Sequence, residues 1–570
     1  MTRLVWLVPL AAVVVLVISI VRDARRRAVA GLRAAWGQPS PREQRMDAIA
    51  ASHRSRLAEL GARAAVDDRT WNDLVLEDVF QAIDRTESTL GQHALYHRLR
   101  AAHADAELAA FDALVTRFGE DAALRERAQL ALGRLRDPHG YDLWWLARED
   151  AVDVPRWFVV FPVLLAAIVA LAVFAFAGGA AALRPLLALA VGVNLAAYLG
   201  TFRRTVTVAT AFRQIAPVVA TAQALQCLQG EAIDPVVAPF RRDAPRLRRL
   251  KTVARWVSGD PLMLSVHPNQ AAVMVADVVS VAYDYANLVL PVNATGMFVG
   301  AADLRRDGAA LLRVVAAIGD VDAAVSVASL RAGESRWTRP AFVDAGAPAV
   351  VTEAVHPLVP DAVPNSIVLS PGAGVLVTGS NMSGKSTFLR TVGVNAVLAR
   401  SLFTCFAAGY EAPRFEVRSC IGRADDLLSG KSYYLVEVEA LLGLVAASGE
   451  SSPYLFLLDE MFRGTNAVER IAAGQAVLTE LLAGPAGPKP HVVLAATHDS
   501  ELVDLLEGLY APCHFGDAVT DAGLTFDYHL REGRATSRNA IALLRLHGAP
   551  PALVERALAS AAALEVRSWL

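Results

Sequence analysis

The sequence predicts two architectures in one chain: a helical first part broken by uncharged apolar segments, then an α/β domain of the P-loop type over residues 346–570. Three observations carry this. The strand formers Val375-Leu376-Val377-Thr378 enter a loop, Gly379-Ser380-Asn381-Met382-Ser383-Gly384-Lys385-Ser386-Thr387, that matches G-x-x-x-x-G-K-[ST], and an apolar-periodic helix leaves it over 388–399. Tyr454-Leu455-Phe456-Leu457-Leu458 is an apolar run ending in Asp459-Glu460, the form of a buried parallel strand that delivers acids to a sheet edge. The apolar fraction, 54% over 570 residues, is above the range usual for a soluble chain, so a membrane contribution is expected.

The elements follow in order. Leu4 to Val21 is uncharged and apolar, and Arg22, Arg25, Arg26 and Arg27 come directly after it. A cleavable signal carries its positive charge before the apolar run, so residues 1–22 read as a retained anchor whose arginines lie on the cytoplasmic side. A cleaved export signal or a buried helix is the competing reading. Residues 23–156 are helical and polar in pattern. Phe158 to Ala177 and Leu186 to Phe202 are uncharged runs of about bilayer length, with Arg156 before and Arg203-Arg204 after them. They predict a transmembrane hairpin over 157–203 with both ends in the cytoplasm, and a soluble buried hairpin is the alternative. Residues 204–345 return to helical periodicity and hold the one dense basic run, Arg241, Arg242, Arg246, Arg248, Arg249, Lys251 and Arg255. That run could hold DNA phosphates or anionic headgroups, or be a solvated helix face.

Net charge is −2, which excludes a global basic field of the kind that marks many nucleic-acid binders. Cys227, Cys405, Cys420 and Cys513 lie far apart without metal-ligand spacing and suit a reducing compartment. The expected location is the cytoplasmic membrane, with the α/β domain in the cytoplasm.

The chemistry lies in the last third. Gly379 and Gly384 permit backbone angles and close approach that a side chain blocks, so that successive N–H groups can face one anion at a helix N-terminus. Lys385 is placed to reach the outer phosphates of a nucleotide and Ser386 to ligate magnesium. Asp459 is expected to hold that magnesium and Glu460 to orient and deprotonate the attacking water. The strand Val492-Val493-Leu494-Ala495-Ala496 ends in Thr497-His498, which brings His498 to the same edge as a donor to a γ-phosphate or to water.

These residues resemble the MutS mismatch-repair ATPases, whose motor is of the ABC class. Residues 378–390 look like T-G-P-N-M-x-G-K-S-T-x-x-R, with Ser380 in place of the proline. Asp459-Glu460 with Arg463-Gly464-Thr465 looks like D-E-x-x-R-G-T, and Ala496-Thr497-His498 like A-T-H. Ile421 to Leu427, then Ser429-Gly430-Lys431-Ser432 and Val436-Glu437, resemble the segment that serves as the ABC signature. His356-Pro357-Leu358-Val359 resembles the domain entry. Upstream, Asp84-Arg85-Thr86 with Ser88-Thr89-Leu90-Gly91 looks like the turn opening the family's helical core domain, and Ile318-Gly319-Asp320-Val321-Asp322 like its last helices.

The resemblance implies a homodimer with a composite ATP site. Gly379, Ser380, Asn381, Met382, Ser383, Gly384, Lys385, Ser386 and Thr387 of one subunit hold ATP and Mg2+, and Ser432 of the other donates to the γ-phosphate. It also implies double-stranded DNA as a partner and a role in mismatch repair or damage sensing. Two departures point elsewhere. The hairpin occupies the interval where the family has its lever helices and clamp, and no mismatch-reading domain precedes the core; Phe118-Gly119-Glu120 matches the family's wedge tripeptide only by chance. The alternative is an ATP-driven switch acting on a membrane or an unidentified protein partner. Ala362 and Val363 stand where the family often has an aromatic against adenine, so no adenine-stacking residue is legible there.

Overall fold

The computed structural model describes the chain except for residues 1–6, 41, 43, 61–63, 138–139, 142, 147–153, 258–280, 284, 381, 422–432, 464, 485–486, 521–522, 535–540, 542–543, 546–547 and 568–570. Its helices are α1 (Leu7–Ala35), α2 (Met46–Leu60), α3 (Asp68–Asp73), α4 (Leu76–Ile83), α5 (Thr89–Arg100), α6 (Asp105–Glu120), α7 (Ala122–Leu132), α8 (Leu143–Leu146), α9 (Val160–Ala172), α10 (Arg184–Leu225), α11 (Asp234–Asp243), α12 (Arg248–Val257) and α13 (Val292–Gly333), followed by α14 (Lys385–Leu402), α15 (Tyr433–Ala447), α16 (Ala467–Leu482), α17 (Ser500–Leu505) and α18 (Pro551–Arg567). The chain divides into two compact units. One gathers Met1–Ala62, Ile83–His97 and Ala109–Glu334; the other gathers Arg63–Ala82, Arg98–Leu108 and Ser335–Leu570.

The first unit is helical. Helix α1 continues without a break from its apolar start through Arg22 to Arg27. Two segments, Arg156–Ala177 and Ala181–Thr201, are long and apolar enough to cross a membrane, and few of their residues are buried within the unit. Val163, Phe176, Leu189 and Leu199 along them are all more than 60% exposed. The 42-residue helices α10 and α13 pack with α12 between them. Gly300 makes that approach possible, because a Cβ there would stand 2.5 Å from Cε1 of Phe212.

The opening turn of the core-like segment is held from far along the chain. Asp84 Oδ1 accepts the Thr86 N–H (2.9 Å) and hydroxyl (2.7 Å), and its Oδ2 accepts Gln92 Nε2 (3.0 Å). Asp322 on α13 accepts the Glu87 and Ser88 N–H groups (both 2.8 Å) and the Ser88 hydroxyl (2.5 Å). Burial pushes the Asp322 carboxyl up to about 7, against the pull of these donors. Gly91 is required beside it, since a Cβ there would lie 2.2 Å from Asp322 Oδ2. Phe118 of the tripeptide noted in the sequence is wholly buried in α6, a core residue of the helix.

Part of the basic run is engaged within this unit. Arg241 pairs with Asp234 (2.8 Å), Arg242 with Asp243 (3.1 Å), and Arg249 with Asp303 (3.0 Å), while Lys251 donates to Gln223 (2.9 Å). Arg313 completes a second contact to the buried Asp243, whose carboxyl is held down at about 2 by the two guanidinium groups. Arg246 and Arg248 are exposed, as are the paired Arg241, Arg242 and Arg249.

The second unit is α/β. Its strands are β1 (Ala341–Phe342), β2 (Ala349–Ala354), β3 (Asn365–Leu369), β4 (Gly374–Thr378), β5 (Gly409–Ala412), β6 (Glu416–Cys420), β7 (Tyr454–Asp459), β8 (Ala483–Gly484), β9 (Gly487–Pro488), β10 (Val492–Ala496), β11 (Tyr510–Thr520) and β12 (Gly523–Glu532). The main sheet has the order β12-β11-β4-β10-β7-β6, parallel except for β12. A four-stranded sheet, β1-β5-β2-β3, lies in the same unit. β4 and β10 are buried along their whole length and β7 up to its last residue, as expected of a parallel sheet covered on both faces.

Residues 63–82 and 98–108, which follow helical periodicity in the sequence, fold into this α/β unit. Asp67 caps α3 through the Thr70 N–H (2.7 Å), and buried Asp73 accepts the Ser419 hydroxyl (2.8 Å) and the Ile421 N–H (2.9 Å) at the end of β6. Arg390 on α14 donates to the Asp73 carbonyl (2.8 Å), and Gly393 leaves room for Leu74. The helix behind the phosphate loop is thereby buttressed from an early segment.

Two buried histidines make this unit acid-sensitive. Burial lowers His103 and His356 from the usual 6.5 to about 4 each. Between those values the unfolded chain binds more protons than the folded one, so the stability they allow is full above pH 6.5 and lost as pH falls toward 4. His491 and His498 are lowered by burial as well and act in the same sense, while Asp459, raised by burial, acts in the opposite one. Hydrogen exchange of β4 and α14 peptides should therefore quicken between pH 7 and pH 5 after correction for intrinsic rates; unchanged protection would refute this assignment.

Candidate functional site

The order of the main sheet decides where the polar residues meet. β4 lies between β11 and β10, and β7 lies beyond β10, with Ala496 opposite both Val377 and Asp459. The loop after β4, the acids after β7 and the histidine after β10 consequently leave one edge at one level. The Thr497 N–H donates to the Val377 carbonyl (3.1 Å), and the Glu460 N–H to the Ala496 carbonyl (3.0 Å), which fixes these exits.

The loop itself is a left-handed turn onto a helix. Gly379, Met382 and Gly384 have φ of +141°, +70° and +107°, and Gly384 directly precedes α14. A Cβ on Gly379 would meet the Ser383 Oγ at 2.9 Å and the Phe515 carbonyl at 3.0 Å, so only glycine fits. Lys385 curls back over the loop, and its Nζ donates to the Gly379 and Ser380 carbonyls (both 2.9 Å). The Ser380 and Ser383 hydroxyls are buried and lack a hydrogen-bond partner. Thr387 lies in the first turn of α14 and lines the same cleft. Asn381 and Ser432 lie outside the described residues.

Across the edge, the Ser386 hydroxyl donates to Asp459 Oδ2, while Asp459 Oδ1 is buried with no partner. Burial, with Glu460 adjacent, raises the Asp459 carboxyl above the ordinary range despite the Ser386 bond. Glu460 and Phe462 both adopt left-handed φ, +50° and +57°, a strain tolerated where surroundings fix the backbone. The Glu460 carboxylate is engaged at both oxygens, by Arg463 at Oε2 and by His498 Nε2 at Oε1 (2.5 Å). Burial and the nearby Lys385 ammonium, 3.4 Å from Nε2, lower His498 below its usual value. Near neutral pH it is thus an uncharged imidazole that donates through Nε2–H to Glu460. Glu437, in the segment resembling the signature, accepts the Phe462 N–H (2.8 Å) and steadies the turn after the acids.

The loop opens onto a cleft of about 500 Å³ lined by Val355, His356, Val363, Lys385, Glu460 and Tyr528 among others. Tyr528 is the residue that sequence reading misses. It comes from β12, has φ +56°, and is anchored because Asn365 Nδ2 donates to its carbonyl (2.9 Å). Where Ala362 and Val363 leave no aromatic at the cleft entrance, Tyr528 supplies one from the far end of the chain. The Phe526-x-Tyr528 alternation marks a strand but gives no hint of the cleft.

The cleft suits a polyphosphate and a hard cation. Unpartnered hydroxyls in the loop, a lysine at its rim and a bare buried carboxylate oxygen beside a serine form a donor set for phosphate and Mg2+. Among the described residues no three His, Cys, Asp or Glu side chains are grouped to cage a metal, so such a cation would complete its shell with phosphate and water.

Residues 375–565 match the family model described as MutS domain V. Over this C-terminal part the chain is similar to the MutS family. It is 33% identical over 270 residues to a DNA mismatch repair protein MutS 2 of Halobacterium salinarum, a match covering 46% of this chain and 30% of the relative. Comparable relatives are the DNA mismatch repair proteins MutS of Streptococcus equi (32% over 270 residues, 45% and 31%) and Thermus thermophilus (33% over 252 residues, 44% and 29%). The chain thus spans under a third of the length of the curated relatives it matches. The phosphate loop, Asp459-Glu460, His498 and Tyr528 all fall inside the MutS domain V match.

Proposed function

We propose that this protein is a membrane-tethered MutS-family ATPase that hydrolyses ATP at a site shared between two copies. The observation that carries it is the convergence of Lys385, Ser386, Asp459, Glu460 and His498 on one sheet edge facing the cleft. In this reading the loop N–H groups and Lys385 hold the phosphates, which requires Lys385 to leave the Gly379 and Ser380 carbonyls. Ser386 and Asp459 would hold Mg2+, whose charge favours the developing negative charge on the β- and γ-phosphates. Glu460, released from Arg463, takes a proton from water as its oxygen attacks the γ-phosphorus and ADP leaves. His498 stays neutral, and its one N–H either holds Glu460, as in the resting site, or turns to the γ-phosphate. Tyr528 offers its ring to the base. Ser432 of the second copy donates to the γ-phosphate, so that ATP closes the dimer and hydrolysis opens it.

Tethering is supported by the two exposed apolar helices, by the basic residues flanking them and by the arginines that follow the apolar start of α1. It puts the ATPase unit in the cytoplasm at the inner face of the membrane. Duplex DNA is the partner that the relatives' names suggest, in repair or damage sensing. A second reading, a switch acting on a membrane or protein partner, is favoured by the engagement of Arg241, Arg242 and Arg249 with Asp234, Asp243 and Asp303, contacts that phosphates would have to displace. ATPase rates with and without duplex across a salt series separate the two. DNA binding predicts stimulation that falls steeply with salt; a flat response at every concentration overturns the DNA reading and leaves the switch.

A further inference from the structure

From Tyr285 to Ala302 the sequence carries no charged residue, and Pro291 divides this stretch. Residues 281–283 and 285–289 are helical before the proline, and α13 begins directly after it. Proline has no N–H, so the Asn287 carbonyl loses the partner that a continuing helix would give it. The Val292 N–H turns instead to the Leu290 carbonyl (2.8 Å), which releases the Leu288 carbonyl as well.

One side chain meets both freed groups. Asn194 Nδ2 donates to the carbonyls of Asn287 (3.4 Å) and Leu288 (3.1 Å). Asn194 is 1% exposed and stands in α10 seven residues before Thr201, the end of the second apolar segment. At about 1.5 Å per residue it sits roughly 10 Å inside that segment. Asn287 closes the turn locally: its Nδ2 donates to the Tyr283 carbonyl and its Oδ1 accepts the Asn293 N–H, each at 3.0 Å. Ala294, just beyond, packs with Phe158 and Phe161 at the base of the hairpin. Tyr285 and Val289, one helical turn apart, are exposed, as are Phe174 and Phe176 on the hairpin.

We infer that residues 285–292 form a re-entrant turn embedded in the bilayer beside the hairpin, held there by Asn194, with Tyr285 and Val289 against lipid. The inference rests on the membrane reading proposed above. A chain break is tolerated at bilayer depth only where protein groups replace water at the freed carbonyls, and Asn194 does this. A soluble loop would need no such side chain, because water satisfies an exposed turn.

A nitroxide at Val289→Cys tests it in the full-length protein carrying Cys227→Ser, the other cysteines being buried. The protein is reconstituted in vesicles of phosphatidylcholine and phosphatidylglycerol, with Phe176→Cys on the hairpin and Leu505→Cys on α17 as references. Collisions with oxygen should exceed those with an aqueous nickel chelate at 289 and 176, and the reverse should hold at 505. Water-type collisions at 289 with lipid-type at 176 overturn the inference and leave the membrane reading standing; water-type collisions at both overturn both. Shielding from both reagents at 289 with dipolar broadening means a second copy covers the turn, and overturns the lipid assignment. Asn194→Leu should raise nickel collisions at 289 several-fold, with Asn194→Gln intermediate, and no change would remove Asn194 from this role.

Discussion

Glu460→Gln protein is expected to bind ATP with near-native affinity and to lose turnover by about 10²–10⁴-fold, the usual contribution of a positioned general base. Glutamine keeps the length of the side chain; its amide oxygen can still accept from Arg463, and its NH2 can donate to His498 Nε2 once the imidazole takes the Nδ1–H tautomer. The left-handed backbone at this position bears the same side-chain bulk in both forms. The capacity to accept a proton is removed while the shape of the side chain is kept. Equilibrium nucleotide binding and single-turnover phosphate release measure the two effects separately; unchanged release would rule out Glu460 as the base. As the proposed base, Glu460 must exchange Arg463 for water before it can act, so the ion pair belongs to a resting site.

The second large effect is expected in the helical unit. Asp322→Ala should destabilise it by about 3–5 kcal/mol, because the Glu87 and Ser88 N–H groups and the Ser88 hydroxyl are left buried without an acceptor at roughly 1–3 kcal/mol each before relaxation. Asp322→Asn should recover part of this, since one of its two terminal atoms can still accept. Thermal unfolding read by protease resistance of α13 in detergent would check both. Native resistance in the alanine variant would show that the turn does not depend on this carboxylate.

The two predictions differ in how far they were legible. Glu460 is marked by local sequence: an apolar run, two acids and a phosphate loop upstream place it at a sheet edge because parallel strands are buried and end together. Asp322 and the Ser88 turn each stand out as a motif, yet nothing in sequence joins residues more than two hundred positions apart. Their meeting depends on α13 passing beside Gly91, where the missing side chain opens the space. Tyr528 was invisible for the same reason, since its place in the cleft follows from β12 pairing to β11 and from the Asn365 bonds that hold it. The basic run shows the reverse case. Seven cations close in sequence suggest a phosphate-binding face, but Asp243 and Asp303 come to meet two of them, Arg242 and Arg249, and charge in sequence does not record which partners burial brings.

By itself the sequence determined which groups are available for chemistry: a strand–loop–helix whose N–H groups suit an anion, acids and a histidine at strand ends, and uncharged runs of bilayer length. These are properties of neighbours in the chain, set by backbone period and side-chain type. Only the tertiary structure decided which of these groups face one another. Lys385 rests on its own loop carbonyls, Glu460 is held between Arg463 and His498, early helix α3 braces the end of β6, and Asn194 satisfies a break at Pro291. Each depends on packing between segments far apart in the chain, where a buried polar group takes whichever partner the fold brings within hydrogen-bond reach.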